Sequence, residues 1–156
     1  MSGARPAVLF VCLGNICRSP LAEAAFRREA EAAGLDVEID SAGTGDWHVG
    51  NLPDPRSQEV ARQAGVDISD QRARQLVEDD YRRFTEIVAM DTQNLADIRA
   101  RAPADATANI ALLLDHVVGR EGASIADPYY GGEENFADTW EDAVAGAKAL
   151  VSKLSS

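Results

Sequence analysis

The run Val8-Leu9-Phe10-Val11 leads without a break into Cys12-Leu13-Gly14-Asn15-Ile16-Cys17-Arg18 and then Ser19-Pro20-Leu21. Consecutive apolar residues without period-2 alternation mark a strand covered on both faces, here over 7–11. A helical pattern follows: Leu21 recurs with Ala25 and Ala22 with Phe26, while Arg27, Arg28, Glu29 and Glu31 supply a wet side. Ser19 suits an N-cap, Pro20 the first helical position and Gly34 the stop, which predicts a helix over 20–33. A buried strand feeding a helix needs a parallel neighbour reached by a right-handed crossover, and 37–40 supplies a second short strand. The fold class is thereby narrowed to α/β.

The rest of the chain continues the alternation. Strands are predicted over 86–90 and, more weakly, 109–113, with helices over 56–64, 92–101 and 136–154. Between them lies a long irregular segment, 41–55, which holds Gly43, Gly45, Gly50, Pro53 and Pro55; long loops of this kind tend to carry function. With 156 residues and no repeat or linker, one domain is expected over 1–156, with 1–6 flexible.

Charge and cysteine usage exclude several functions. A net charge of -11 disfavours nucleic acid and anionic membrane as partners. It also opposes any phosphate ester, so a phosphate site would need strong local positive potential. The 2 cysteines lie too close in sequence for a secreted disulfide framework. With no secretory apolar region and no long uncharged apolar stretch, a cytoplasmic location is expected.

The loop from Cys12 to Ser19 carries the chemistry. Attack on phosphorus needs a thiolate, and an ordinary cysteine is only about 3% ionised at neutral pH. A strand end facing a helix N-terminus favours the anion. The backbone N–H groups of Leu13, Gly14, Asn15, Ile16, Cys17 and Arg18 can curl into an anion nest, and Ser19 can donate its hydroxyl to the sulfur. Gly14 permits positive φ and Asn15 tolerates the left-handed region. Arg18 offers a rigid fork that holds two phosphoryl oxygens as they flatten in the transition state. The competing reading is an inert buried cysteine with Arg18 on the surface; the strand, the helix and the Gly-Asn and Ser-Pro pairs argue against it. Cys17 is a candidate redox partner for Cys12, or else a small apolar filler.

An aryl phosphate leaves as a phenolate, for which a general acid helps. Asp127, in Ala126-Asp127-Pro128-Tyr129-Tyr130-Gly131-Gly132, is the candidate: Pro128 keeps it extended and the paired glycines allow a mobile loop. Trp47, Tyr129 and Tyr130 fall in loops at the C-terminal edge of the sheet, where open α/β folds bind ligands, and can wall a cleft for a phenyl ring. His48 and His116 read as plain loop or surface residues, and no Cys/His spacing fits a metal. Asp91 reads as a helix N-cap.

These pieces resemble the low-molecular-weight protein tyrosine phosphatases along nearly the whole chain. The matching segments are Val11 to Pro20, Ser41 to Gly50, Pro53-Asp54-Pro55-Arg56, Arg72-Ala73-Arg74-Gln75, Ala89-Met90-Asp91 and Asp127 to Gly131. The resemblance implies a single-domain three-layer sandwich: a four-stranded parallel sheet with helices on both faces. It further implies hydrolysis of phosphotyrosine in proteins, and of small aryl phosphates, through a phosphocysteine, without metal or cofactor. Cys12 is then the nucleophile, Arg18 the phosphate and transition-state binder and Asp127 the acid. Asn15, Ser19 and Ser41 match positions that brace the loop, and Trp47 and Tyr129 positions that line the cleft. The family often has a histidine where this chain has Gln71; an amide can replace its hydrogen bonds but not its titration, so activity with an altered pH response is expected. Related thiol-linked arsenate reductases need further cysteines, which are missing after Cys17. Arginine phosphatases carry threonine where Ile16 stands, and an apolar wall suits an aryl ring better. A phosphoprotein-binding module is the reading from another class. The chain is expected to act as a monomer or weak homodimer.

Overall fold

The structure, a computed structural model, describes residues 5–155. Its elements in chain order are β1 (Ala7–Cys12), α1 (Arg18–Ala32), β2 (Glu38–Gly43), α2 (Pro55–Gln63), α3 (Asp80–Arg83), β3 (Glu86–Ala89), α4 (Thr92–Arg101), β4 (Asn109–Leu112), a 3-10 turn (Leu113–His116) and α5 (Glu133–Ser155). The four strands form one parallel sheet in the order β2-β1-β3-β4. β1 is central and buried at every residue, as its unbroken apolar run requires.

Alternate residues of β1 feed two cores. Val8, Phe10 and Cys12 face α1 and α5, meeting Ala22, Phe26, Ala143 and Leu150; the rings of Phe10 and Phe26 lie 5.4 Å apart. Leu9 and Val11 face the other side with Tyr81, Phe84, Ile87 and Ile98, the last from α4. Helices thus cover both faces, and the expected three-layer α/β sandwich is what forms. A third, smaller core of Leu21, Ala24, Ala61 and Ile68 fastens α2 to the outside of α1.

Two local features differ from the sequence reading. β2 runs on through Ser41 to Gly43, which pairs with Cys12; Ser-Ala-Gly has little strand propensity, and the ladder to β1 overrides it. α1 begins at Arg18, so Cys17 occupies the N-cap position and makes no side-chain capping hydrogen bond. Ser19, expected as the cap, lies inside the first turn. Gly34 does end this helix, at a φ of +67°. Of residues 1–6, residues 1–4 lie outside the described residues. The Arg5 guanidinium lies 2.9 Å from Asp36, and the Pro6 carbonyl accepts from the Glu38 N–H at 2.9 Å.

Candidate active site

Every element needed at the site ends at the C-terminal edge of the sheet. β1 delivers Cys12, the first turn of α1 delivers Arg18 and Ser19, and the 13–17 loop joins them. Asn15 turns the chain with φ +58°, so its own N–H points back to the Cys12 sulfur at 3.3 Å. Gly14 is not in the left-handed region. It is restricted instead by His48, whose ring carbon would lie 3.0 Å from any Cβ there. Without a side-chain cap, the opening amides of α1 are left to an anion.

The Ser19 hydroxyl lies 3.1 Å from Cys12 Sγ and is oriented by Asn15 Nδ2, which donates to it at 2.8 Å. Either partner can be the donor while the thiol is protonated; towards a thiolate only the Ser19 hydroxyl can donate. The same amide donates to Ser41 Oγ at 3.0 Å, and Asn15 Oδ1 accepts the Arg74 N–H at 3.0 Å. Both amide protons of Asn15 are then used, and one of the two acceptor positions of its carbonyl is filled. Gln71 Oε1 is buried without a hydrogen-bond partner, in a polar cavity that Ser41 and Glu23 also line. The Arg74 segment laces alongside the end of β2, with Gly43 N–H donating to the Arg74 carbonyl and Leu76 N–H to the Gly43 carbonyl, both at 2.8 Å.

Arg18 is 3% exposed. Its Nη1 donates to Asp91 Oδ2 at 2.6 Å and to the Ile125 carbonyl at 3.0 Å, while Nη2 lies 3.6 Å from Asp127 Oδ2. Burial works against the charge, but Cys12, Asp91 and Asp127 outweigh it and hold the guanidinium above its usual pKa. Asp91 does cap α4, accepting the Asn94 N–H at 2.7 Å. Its other oxygen aims Arg18, a role the sequence reading did not see; the Met90-Asp91 step at a strand end was the available signal.

The two thiols differ sharply. Burial, then Asp54, Cys12 and Asp127, push the Cys17 thiol up to about 12. Cys17 therefore stays protonated at neutral pH. Both are free thiols.

Above the loop opens a cavity of about 230 Å³, lined by Cys12, Ile16, Arg18, Trp47, Asp127 and Tyr129. His48, set aside as a plain loop residue, also lines it, because the 41–55 segment folds over Gly14. Trp47 is 69% exposed and Tyr130 97%, so these two form a rim rather than a buried wall. The Tyr129 and Tyr130 rings meet edge to face at 5.0 Å. His116, by contrast, lies at the end of the 3-10 turn, away from this cavity. Among the described residues no three His, Cys, Asp or Glu side chains converge as metal ligands, and no helix is long and apolar enough to cross a membrane.

Fold and site together define a class: a doubly wound α/β domain whose central strand places a thiol under a helix N-terminus, with a buried arginine closing the anion cradle. The chain belongs to the low molecular weight phosphotyrosine protein phosphatase family, whose family model matches residues 7–156. It is 47% identical over 136 residues to the low molecular weight phosphotyrosine protein phosphatase of Schizosaccharomyces pombe, an alignment covering 85% of this chain and 86% of the relative. The crystal structure of YfkJ from Bacillus subtilis superposes with a TM-score of 0.91 at 41% identity, covering 99% of this chain and 98% of that one. A Drosophila structure described as an arginine phosphatase superposes at 0.89 with 32% identity, covering 96% and 98% of the two chains.

Proposed function

We propose that this protein hydrolyses phosphotyrosine in proteins, and small aryl phosphates, through a phosphocysteine on Cys12. The observation that carries this is the Cys12 sulfur held by Ser19 Oγ at 3.1 Å and Asn15 N at 3.3 Å, on the same cavity as Arg18 and Asp127. The ester phosphate sits in the nest of amides from 13–18, with the Arg18 fork on two of its oxygens. The Cys12 thiolate attacks phosphorus, the bond to the aryl oxygen breaks, and the Asp127 carboxyl gives its proton to that oxygen as it leaves. The resulting Asp127 carboxylate takes a proton from the water that attacks the phosphocysteine. Phosphate and the Cys12 thiolate are released and Asp127 is again protonated. Asn15, Ser19 and Ser41 keep the loop in shape throughout, and Asp91 keeps Arg18 aimed.

Substrate class follows from the cavity wall. Ile16 lines it and presents an apolar face, where a guanidinium would lose hydrogen bonds and an aryl ring loses nothing. Trp47 and Tyr129 offer stacking surface, with Tyr130 at the rim. The same reading places the protein in the cytoplasm, as a monomer or weak homodimer, without metal or cofactor; the free thiols Cys12 and Cys17 fit a reducing compartment.

The test is phosphate release, with chelator present, from matched phosphotyrosine, phosphoserine and phosphoarginine peptides, beside Cys12→Ser and Asp127→Ala. Release from phosphotyrosine alone, abolished by the first substitution and slowed by the second, is the expected outcome. Release chiefly from phosphoarginine would reassign the substrate. No release by a folded, reduced protein would leave a phosphoprotein-binding module.

A further inference from the structure

The Pro53-Asp54-Pro55-Arg56 segment has no part in the mechanism above, yet it touches both halves of the site. Asp54 is the N-cap of α2 and is nearly buried; its N–H donates to the Ile16 carbonyl of the phosphate loop at 2.8 Å. Its carboxylate holds Arg56 from three sides: Oδ1 accepts the Arg56 N–H at 2.8 Å and Nε at 3.0 Å, and Oδ2 accepts Nη2 at 2.9 Å. The remaining edge of the guanidinium reaches the acid loop. Nη1 donates to the Gly131 carbonyl at 3.3 Å, and the fork lies 4.5 Å from the Phe136 ring and 5.6 Å from that of Tyr129.

The other hydrogen bonds of the loop lie at its ends or within it: Thr139 Oγ1 donates to the Ala126 carbonyl at 3.5 Å and the Gly132 N–H to Asn135 Oδ1 at 2.9 Å. Asp127 Oδ1 accepts the Tyr129 N–H at 3.1 Å, and the Gly131 N–H donates to the Pro128 carbonyl at 2.8 Å, both within the loop. The contact of Asp127 with Arg18 is longer, at 3.6 Å. We propose that Arg56 is a positioning residue: clamped by Asp54 to the phosphate loop, it sets the height of the 127–131 loop, so that Asp127 meets the leaving oxygen. This rests on the phosphatase reading and on Asp127 as its acid. Arg56 itself touches no reacting atom. A planar fork is required because one group must grip a carboxylate, a carbonyl and ring faces at once, which an ammonium does not do.

The test compares kcat/KM for phenyl phosphate, whose leaving group needs a proton, with that for dinitrophenyl phosphate, whose leaving group does not. The variants are Arg56→Lys, Arg56→Met, Asp127→Asn and the Arg56→Met/Asp127→Asn pair, with rates referred to the folded fraction from thermal melts. Methionine keeps an apolar stem on Phe136, so the fold is retained. Arg56→Met is expected to lower kcat/KM about tenfold or more for phenyl phosphate and about twofold or less for dinitrophenyl phosphate. Lysine restores little of this, and the loss vanishes on the Asp127→Asn background. Equal losses on both substrates, full rescue by lysine, or losses that add in the double variant would each overturn the proposal. If Asp127→Asn discriminates between the substrates and Arg56→Met does not, only the positioning role fails. If Asp127→Asn itself does not discriminate, the acid assignment fails and takes this proposal with it.

Discussion

Cys12 and Cys17 sit in one loop, and burial affects them in different ways. The Cys12 sulfur accepts the Asn15 N–H and lies 3.1 Å from the Ser19 hydroxyl, whereas the Cys17 thiol is pushed up to about 12, chiefly by desolvation. Iodoacetate at neutral pH is therefore expected to alkylate Cys12 and spare Cys17, with Cys17 labelling rising only as pH climbs towards its own ionisation; peptide mapping by mass spectrometry reads the ratio. Preferential labelling of Cys17 would remove the basis for Cys12 as nucleophile. Ser19→Ala takes away the hydroxyl and leaves the Asn15 amide one acceptor short. A hydrogen bond to a charged group contributes about 1.5–3 kcal/mol, so kcat should fall at least about tenfold, and the unpaired Asn15 donor should lower Tm as well. A fall in Tm with kcat intact would make Ser19 a merely structural residue.

At the scale of elements, the junction of β2 with the phosphate loop decides the shape of the cradle. A Cβ on Gly43 would stand 2.8 Å from the Leu13 carbonyl oxygen and 3.2 Å from Asn15 N, and both are backbone atoms that have no rotamer to escape into. Gly43→Ala is expected to cost about 1–3 kcal/mol and to weaken competitive inhibition by inorganic phosphate, because the loop itself must shift. Gly34→Ala is the control: its φ of +67° strains the backbone, but open space surrounds it, so stability falls by about 1 kcal/mol and phosphate inhibition stays. Equal phosphate inhibition in both variants would disconnect Gly43 from the cradle. Helix α1 carries a different tension. Glu23 is buried beside Arg27, and desolvation raises its pKa despite the hydrogen bonds from Arg27 and Ser41. Its ionised form therefore costs stability that is absent below the unfolded value of about 4.3 and appears as pH rises through the raised folded value. Glu23→Gln should raise Tm at pH 7 and do so less at pH 4; a gain independent of pH would refute the burial argument.

The molecule as a whole bears a charge of -11, yet its cavity must admit a dianion. The buried Arg18 interaction is screened little by salt, whereas long-range repulsion between the acidic surface and an acidic phosphopeptide is screened within about 8 Å at physiological ionic strength. Added salt should therefore raise kcat/KM for phosphopeptides rich in Asp and Glu, and change it less for phenyl phosphate; the opposite order would mean that exposed arginines at the rim dominate the encounter. Much of this molecule is written locally. The apolar run of β1, the helical spacing after it and the Cys12 to Arg18 interval determined by themselves that a strand, an anion-binding loop and a helix follow one another, because each depends on neighbours in sequence. The left-handed turn at Asn15 and the N-cap at Asp91 were legible for the same reason. Tertiary structure decided the rest, since it decides which distant groups share a buried space. It extended β2 through Ser41–Gly43 against β1, moved Ser19 from a cap to the sulfur and put His48 over Gly14. It gave Asp91 a second duty towards Arg18 and joined the amide of Asn15 to Ser19, Ser41 and the Arg74 backbone, while Gln71 Oε1 is left without a hydrogen-bond partner. No local pattern encodes such pairings: a hydrogen-bonding group is satisfied by whatever the fold brings within about 3 Å, and that is fixed only when the sheet and its helices have packed.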